Sequence, residues 1–68
     1  MEYYIIKNIE TSAYYDGEYF DWYSIKNAYF YDSFIEAKKD YDNLIYYERY
    51  EKQELTILKI TIEMEEIK

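Results

Sequence analysis

The sequence predicts an α+β domain: three or four mainly antiparallel strands with one helix, about residues 33–49, packed on one face. Three observations carry this reading. Ser33-Phe34-Ile35-Glu36 has the form of a helix N-terminus, and Leu55 to Met64, LTILKITIEM, is β-branched and alternates in polarity. Between them and the start of the chain, an Asp16-Gly17 pair separates two aromatic runs, as a hairpin turn does.

The helix begins with a capping box. The Ser33 oxygen is placed to accept the backbone N–H three residues on, while Glu36 reaches back to the cap. Phe34, Ala37, Tyr41, Leu44 and Ile45 then recur at helical spacing and form one apolar stripe. Glu48 would fall in the middle of that stripe, so its packed part should end before it. Glu36, Lys39, Asn43, Tyr46, Tyr47 and Tyr50 turn the other way.

In the last strand, Leu58, Ile60, Ile62 and Met64 alternate with Lys59, Thr61 and Glu63, and the even positions are expected to face the helix. Met1 to Ile9 reads as another strand. Tyr3, Ile5 and Ile9 on one side and Tyr4 and Ile6 on the other make both faces partly apolar, as in a central strand. A two-residue turn at Asp16-Gly17 would oppose Tyr15 with Glu18, Tyr14 with Tyr19 and Ala13 with Phe20. Ala13, Phe20 and Trp22 would then face the core, with Tyr14, Tyr19, Asp21 and Tyr23 outward; a one-residue slip would reverse this. After a turn near Lys26-Asn27, Ala28 to Tyr31 is expected as a further short strand, Phe30 inward and Tyr29 and Tyr31 outward or at the edge.

With 68 residues, 1–68 reads as a single domain. Such a chain buries only about 60% of the surface its unfolded form exposes, which leaves little interior for a deep substrate pocket. The absence of cysteine and histidine removes thiolate metal sites, the strongest nucleophile and the usual neutral-pH base. Ser12, Ser24 and Ser33 have no activating partner in the sequence. No enzymatic activity, cofactor or metal is therefore expected. Asp40-Tyr41-Asp42-Asn43 resembles a calcium loop superficially but lies within the helical repeat and lacks the required glycine. The opening residues carry no signal-peptide pattern, and no apolar run approaches the roughly 20 residues that span a bilayer. A cytoplasmic protein without membrane contact is expected.

What remains is surface chemistry. Fifteen acidic residues against eight basic ones give a net charge of −7, which repels nucleic acid and anionic lipid. Direct nucleic-acid binding is therefore not expected, although twelve tyrosines could stack on bases. The same charge favours a basic protein surface, such as that of a nucleic-acid-binding enzyme or effector complex. Glu63 and Glu65 would stand about 6.7 Å apart along a strand. Glu36 and Asp40 would stand about 6 Å apart along the helix. Such spacing suits a cationic groove built for a phosphate backbone. The candidate partner-binding residues are Glu18, Tyr19, Asp21, Tyr23, Glu36, Asp40, Asp42, Tyr46, Tyr50, Glu63 and Glu65. Carboxylates would steer and pair with Arg or Lys, and rings would supply cation–π and apolar anchors.

In size, charge and composition, the whole chain resembles the small acidic inhibitors of bacteriophages and mobile elements, of the anti-CRISPR and antirestriction type. Those proteins share no single fold, so the resemblance carries over no residue. It implies an inhibitor of a defence nuclease or its complex in a bacterial host, in some cases by imitating nucleic acid. The alternative is a homodimeric structural or accessory module whose tyrosine face pairs with its own copy, the charge serving solubility.

Overall fold

A computed structural model describes residues 1–20 and 23–63 of the chain. Its elements are strand β1 (Glu2–Asn8), a short 3-10 turn (Ile25–Asn27), helix α1 (Phe34–Tyr46) and strand β2 (Leu55–Thr61). The fold is α+β, with β1 and β2 forming a two-stranded antiparallel sheet. Cα partners run from Glu2 opposite Thr61 to Asn8 opposite Leu55.

Strand β1 is hydrogen-bonded along both edges. On the edge away from β2, the Tyr4 N–H donates to the Tyr31 carbonyl at 2.9 Å and the Tyr31 N–H donates back at 2.8 Å. Further along, Asn8 N–H donates to the Ala13 carbonyl and Tyr15 N–H to the Ile6 carbonyl. These contacts make isolated bridges, Tyr4 with Tyr31 and Lys7 with Tyr14, rather than strands. The central position expected of the first strand is observed, whereas the expected third and fourth strands are each reduced to a single bridge among the described residues.

The turn that brings residues 13–15 back is built by Asn8. Its buried side-chain oxygen accepts the N–H groups of Glu10 and Thr11 at 3.0 and 3.2 Å. Ser12 at φ 64° completes the reversal. This is an Asx-type turn, in which a side chain takes the place of a backbone acceptor.

Both faces of the sheet are used. Residues paired across an antiparallel ladder share a face, so Ile6 lies with Ile57 and Asn8 with Leu55. There α1 packs: Ile6, Tyr31, Ala37, Leu44 and Leu55 form the buried cluster, with Tyr4, Tyr41, Ile45 and Ile57 against it. Ile5, on the opposite face, is fully buried too. On that face Tyr3 lies 5.6 Å from the Phe30 ring.

The expected orientation of the last strand is thus corrected. Leu55 and Ile57 turn toward the helix, and Leu58 and Ile62 remain partly exposed. The alternation is clearest in the strand's second half, but α1 stands over its first half, where register sets Ile57 beside Ile6. The strand also ends at Thr61, opposite Glu2; Met64 lies outside the described residues.

Helix α1 starts at the predicted cap, with the Glu36 N–H donating to Ser33 Oγ at 3.2 Å, the serine half of the expected box. It ends at Tyr46, sooner than residue 49, with Tyr47 as its C-cap. Arg49 adopts φ 62° and turns the chain so that the Tyr50 N–H meets the Leu44 carbonyl at 3.2 Å. Glycine usually fills such a left-handed position, and its absence hid the helix end in the sequence.

Ser33→Ala removes the cap acceptor and is expected to cost about 1 kcal/mol. In a chain of this size that lowers the melting temperature by about 4–8 °C, measurable by thermal denaturation followed by circular dichroism.

Candidate binding surface

The Asp16-Gly17 turn displays its residues by a different route from the predicted two-residue hairpin. Asp16 Oδ1 accepts the N–H groups of Glu18 and Tyr19 at 2.9 and 2.8 Å, and the Asp16 N–H donates to the Tyr19 carbonyl at 3.1 Å. Tyr15, expected opposite Glu18, instead accepts the Tyr29 N–H at its carbonyl. The predicted ladder across the turn is therefore replaced by a loop closed around one carboxylate. Gly17 adopts φ 105°, where an added Cβ would also stand 3.4 Å from the Tyr29 ring. The Tyr15 hydroxyl donates to the Gly17 carbonyl at 3.0 Å and ties the loop down.

The facing of this segment agrees in part with expectation. Ala13 is buried and Phe20 packs against the core, whereas Tyr19 and Tyr23 are 62% and 72% exposed. Tyr14 is half-buried, with the Lys7 ammonium 5.5 Å from its ring centroid. Asp21 and Trp22 lie outside the described residues.

Tyr31 reverses its expected role. It is buried, and its hydroxyl donates to Asp40 Oδ2 at 2.6 Å. A strand with Phe30 inward would have turned Tyr31 out. The Tyr4–Tyr31 bridge places Tyr31 on the helix face instead. Burial first, and then the hydrogen bond to Asp40, push the Tyr31 hydroxyl far above its ordinary value.

The candidate partner-binding residues accordingly separate into three groups. Glu18, Tyr19, Tyr23, Glu36, Tyr46 and Glu63 are exposed. Asp40, Asp42 and Tyr50 are engaged within the protein. Asp40 receives Tyr31, and Asp42 pairs with Lys38 at 2.5 Å. Tyr50 lies 5.2 Å from Phe20. Asp21 and Glu65 fall outside the described residues. Glu36 and Asp40 stand one helical turn apart on α1, with Asp40 also accepting the Tyr31 hydroxyl, while Glu63 lies beyond the end of β2 and its expected neighbour Glu65 outside the described residues. Tyr47, not among the candidates, is 80% exposed.

Two depressions lined by described residues bear on binding. One, about 440 Å³, runs between α1 and β2 and is lined by Phe34, Tyr41, Ile45 and Ile57, with Lys38, Lys52 and Asp42 also contributing. The other, about 270 Å³, opens where the Asp16–Tyr19 loop meets the end of α1. Tyr15, Tyr19, Phe20 and Tyr50 line it, together with Glu18 and Glu48. Tyr15 lies 5.1 Å from Phe20, which in turn contacts Tyr50. Burial raises the Tyr15 hydroxyl above its ordinary value, as do the fields of Asp40, Asp16, Glu48 and Glu18.

Sequence reasoning missed Tyr15, Phe20 and Glu48 as surface-forming residues. The position of Glu48 on the helical wheel, in line with the apolar stripe, was the available signal. Leu44 and Glu48 both line the cleft, so the acid continues the stripe just past its packed part.

Among the described residues no helix is long and apolar enough to cross a membrane. Compared with known proteins, the chain matches no family model, no curated protein and no solved structure.

Tyr31→Phe is expected to cost about 1–2 kcal/mol at neutral pH, the worth of a hydrogen bond to a charged acceptor that keeps some contact with water. It also alters the response to alkali. Above pH 10.0, the ordinary value for tyrosine, unfolded Tyr31 loses its proton while folded Tyr31 keeps it. Stability therefore falls as pH rises beyond that point. Urea titrations above pH 10 should show a shallower decline for Tyr31→Phe than for the parent protein.

Proposed function

We propose that the protein is a small acidic binding protein that inhibits or regulates a nucleic-acid-processing enzyme or complex by docking on its basic surface. The observation that carries this reading is the combination of a −7 charge with large phenol rings held outward at Tyr19, Tyr23, Tyr46 and Tyr47. Exposed carboxylates at Glu18, Glu36, Glu48 and Glu63 accompany those rings. Tyrosine is enriched in interfaces because it offers large contact area at small entropic cost. The carboxylates add long-range steering toward a positive partner.

Exclusion of nucleic acid by occupancy of a basic groove is the proposed mode of action. Glu18 and Glu48 flank one cleft, but both are exposed, whereas carboxyl-pair catalysis depends on environments that separate the two groups' proton affinities. Binding therefore accounts for the surface better than catalysis does. In this reading the chain acts as an anti-CRISPR or antirestriction type of inhibitor in the cytoplasm of a bacterial host.

The second reading, a homodimeric accessory module, draws on β2. Its outer edge has no partner strand among the described residues, and Leu58 and Ile62 nearby are partly exposed. Open edges are natural sites of strand pairing. Sedimentation at micromolar concentration separates the readings: a tight dimer that buries Tyr14, Tyr19 and Tyr23 or the β2 edge favours the module, and a monomer favours a different partner.

The inhibitory reading is tested by adding the protein to fluorescent DNA bound by a panel of defence nucleases and effector complexes. Displacement of DNA from at least one is expected, and it should weaken by more than about tenfold between 0.05 M and 0.5 M salt, as screening shortens the reach of charge. A Glu36→Lys/Glu63→Lys variant that melts cooperatively should lose at least about fivefold in potency. Undiminished DNA binding across the panel, or full potency of the variant at every salt concentration, contradicts the proposal.

A further inference from the structure

The two depressions differ in the sign of the charge they carry. Lys38 and Lys52 contribute to the one between α1 and β2. The cleft at the end of α1 is lined, among the described residues, by Glu18 and Glu48 without a basic side chain. Its walls add Tyr15, Tyr19, Phe20 and Tyr50. Rings beside carboxylates attract a cation twice over, through the negative face of each ring and through direct ion pairing. The field in this corner is already negative enough to help hold the proton on the Tyr15 hydroxyl.

Size narrows the occupant. Pockets for small molecules usually span about 300–1,000 Å³. At about 270 Å³ and open to solvent, this cleft suits a single long side chain. The tilt of 58° between Phe20 and Tyr50 leaves ring surfaces at an angle, against which a flat cation can stack. Guanidinium is planar, weakly hydrated and able to pair with carboxylates through a fork of donors, whereas ammonium is a compact, strongly hydrated point charge.

The cleft is also built rather than incidental. Asp16 fixes the N–H groups of Glu18 and Tyr19, and the Tyr15 hydroxyl holds the Gly17 carbonyl. The left-handed Arg49 and the Tyr50 to Leu44 hydrogen bond set the opposite wall. The backbone of both walls is thus held before any ligand arrives, which lowers the ordering cost of binding.

We infer that the cleft between the Asp16–Tyr19 loop and the end of α1 is a receptor for one arginine side chain of the protein's partner, packed against the Phe20 and Tyr50 rings and paired with Glu18 and Glu48. The inference rests on the docking reading above and names the anchor within it. Loss of the anchor leaves general charge attraction but removes its specificity for arginine.

The test is a nuclear magnetic resonance titration of the labelled protein with a short neutral-backbone peptide carrying one arginine, beside peptides with citrulline or lysine in its place. Arginine should produce saturable shifts centred on Glu18, Tyr19, Phe20, Glu48 and Tyr50. Citrulline, which keeps the shape without the charge, should bind at least tenfold more weakly, and lysine about threefold more weakly. Glu48→Gln and Tyr19→Ala, both at exposed positions, should each weaken arginine binding at least threefold, with unchanged spectra elsewhere showing that the fold is kept. Equal response to citrulline, or arginine shifts dispersed over Glu36 and Glu63 without saturation, overturns the site. Failure of the docking reading is distinguished from this, because it appears as undiminished DNA binding across the enzyme panel.

Discussion

The fold depends on the backbone hydrogen bonds along both edges of β1. On one edge lies β2; on the other, Tyr31 and residues 13–15 attach by short runs of N–H to carbonyl contacts. A strand flanked on two sides satisfies its own polar groups and can bury its side chains on both faces, as Ile5 and Ile6 do. Two full apolar side chains out of water contribute about 3–6 kcal/mol at ordinary transfer values. For so short a chain that is a large share of the available stability.

The consequences run outward from β1 to the surface. Tyr15 N–H bonded to Ile6 fixes the start of the Asp16–Tyr19 loop, and Tyr4 bonded to Tyr31 fixes the residue that holds Asp40. Aromatic rings finish what aliphatic side chains are too few to cover. Phe20 bridges Tyr15 and Tyr50, Phe30 covers Tyr3, and the Tyr4 ring meets Phe34 edge-on at 5.9 Å. Rings used at the margin of a thin core keep their outer flanks wet, and this is how a single tyrosine-rich composition supplies both packing and display. The same residues that close the core at the end of α1 make the walls of the acidic cleft.

How much of this the sequence disclosed follows from where its signals are local. The Ser33 cap, the Ala37–Ile45 part of the helical stripe and the β-branched run from Leu55 are statements about neighbours in the chain, and each appears where expected; Phe34, counted in the same stripe, is instead 44% exposed. The partly apolar character of both faces around Ile5 and Ile6 likewise pointed to a central strand. Pairing between distant segments was less legible. Asp16-Gly17 looks like a hairpin turn, but the Asp16 side chain captures the Glu18 and Tyr19 N–H groups, and Tyr15 finds better partners in Ile6 and Tyr29. Tyr31 shows no local sign of burial, since its facing is imposed by Tyr4. For the binding surface, exposure of Tyr19, Tyr23 and Tyr46 was readable from patterning. The inward engagement of Asp40 and Tyr50 depended on contacts with residues far away in sequence.

Native-state hydrogen exchange of individual amides tests the central position of β1 most directly. In β1 the N–H groups of Tyr4 and Asn8 point away from β2, toward Tyr31 and Ala13. Slow exchange at Tyr4, Asn8, Tyr15 and Tyr31, comparable to that at Ile5, is the predicted result. Alternating protection along β1, with Tyr4 and Asn8 exchanging freely while their neighbours stay protected, would show β1 to be an edge strand and would contradict the arrangement on which both the loop and the cleft depend.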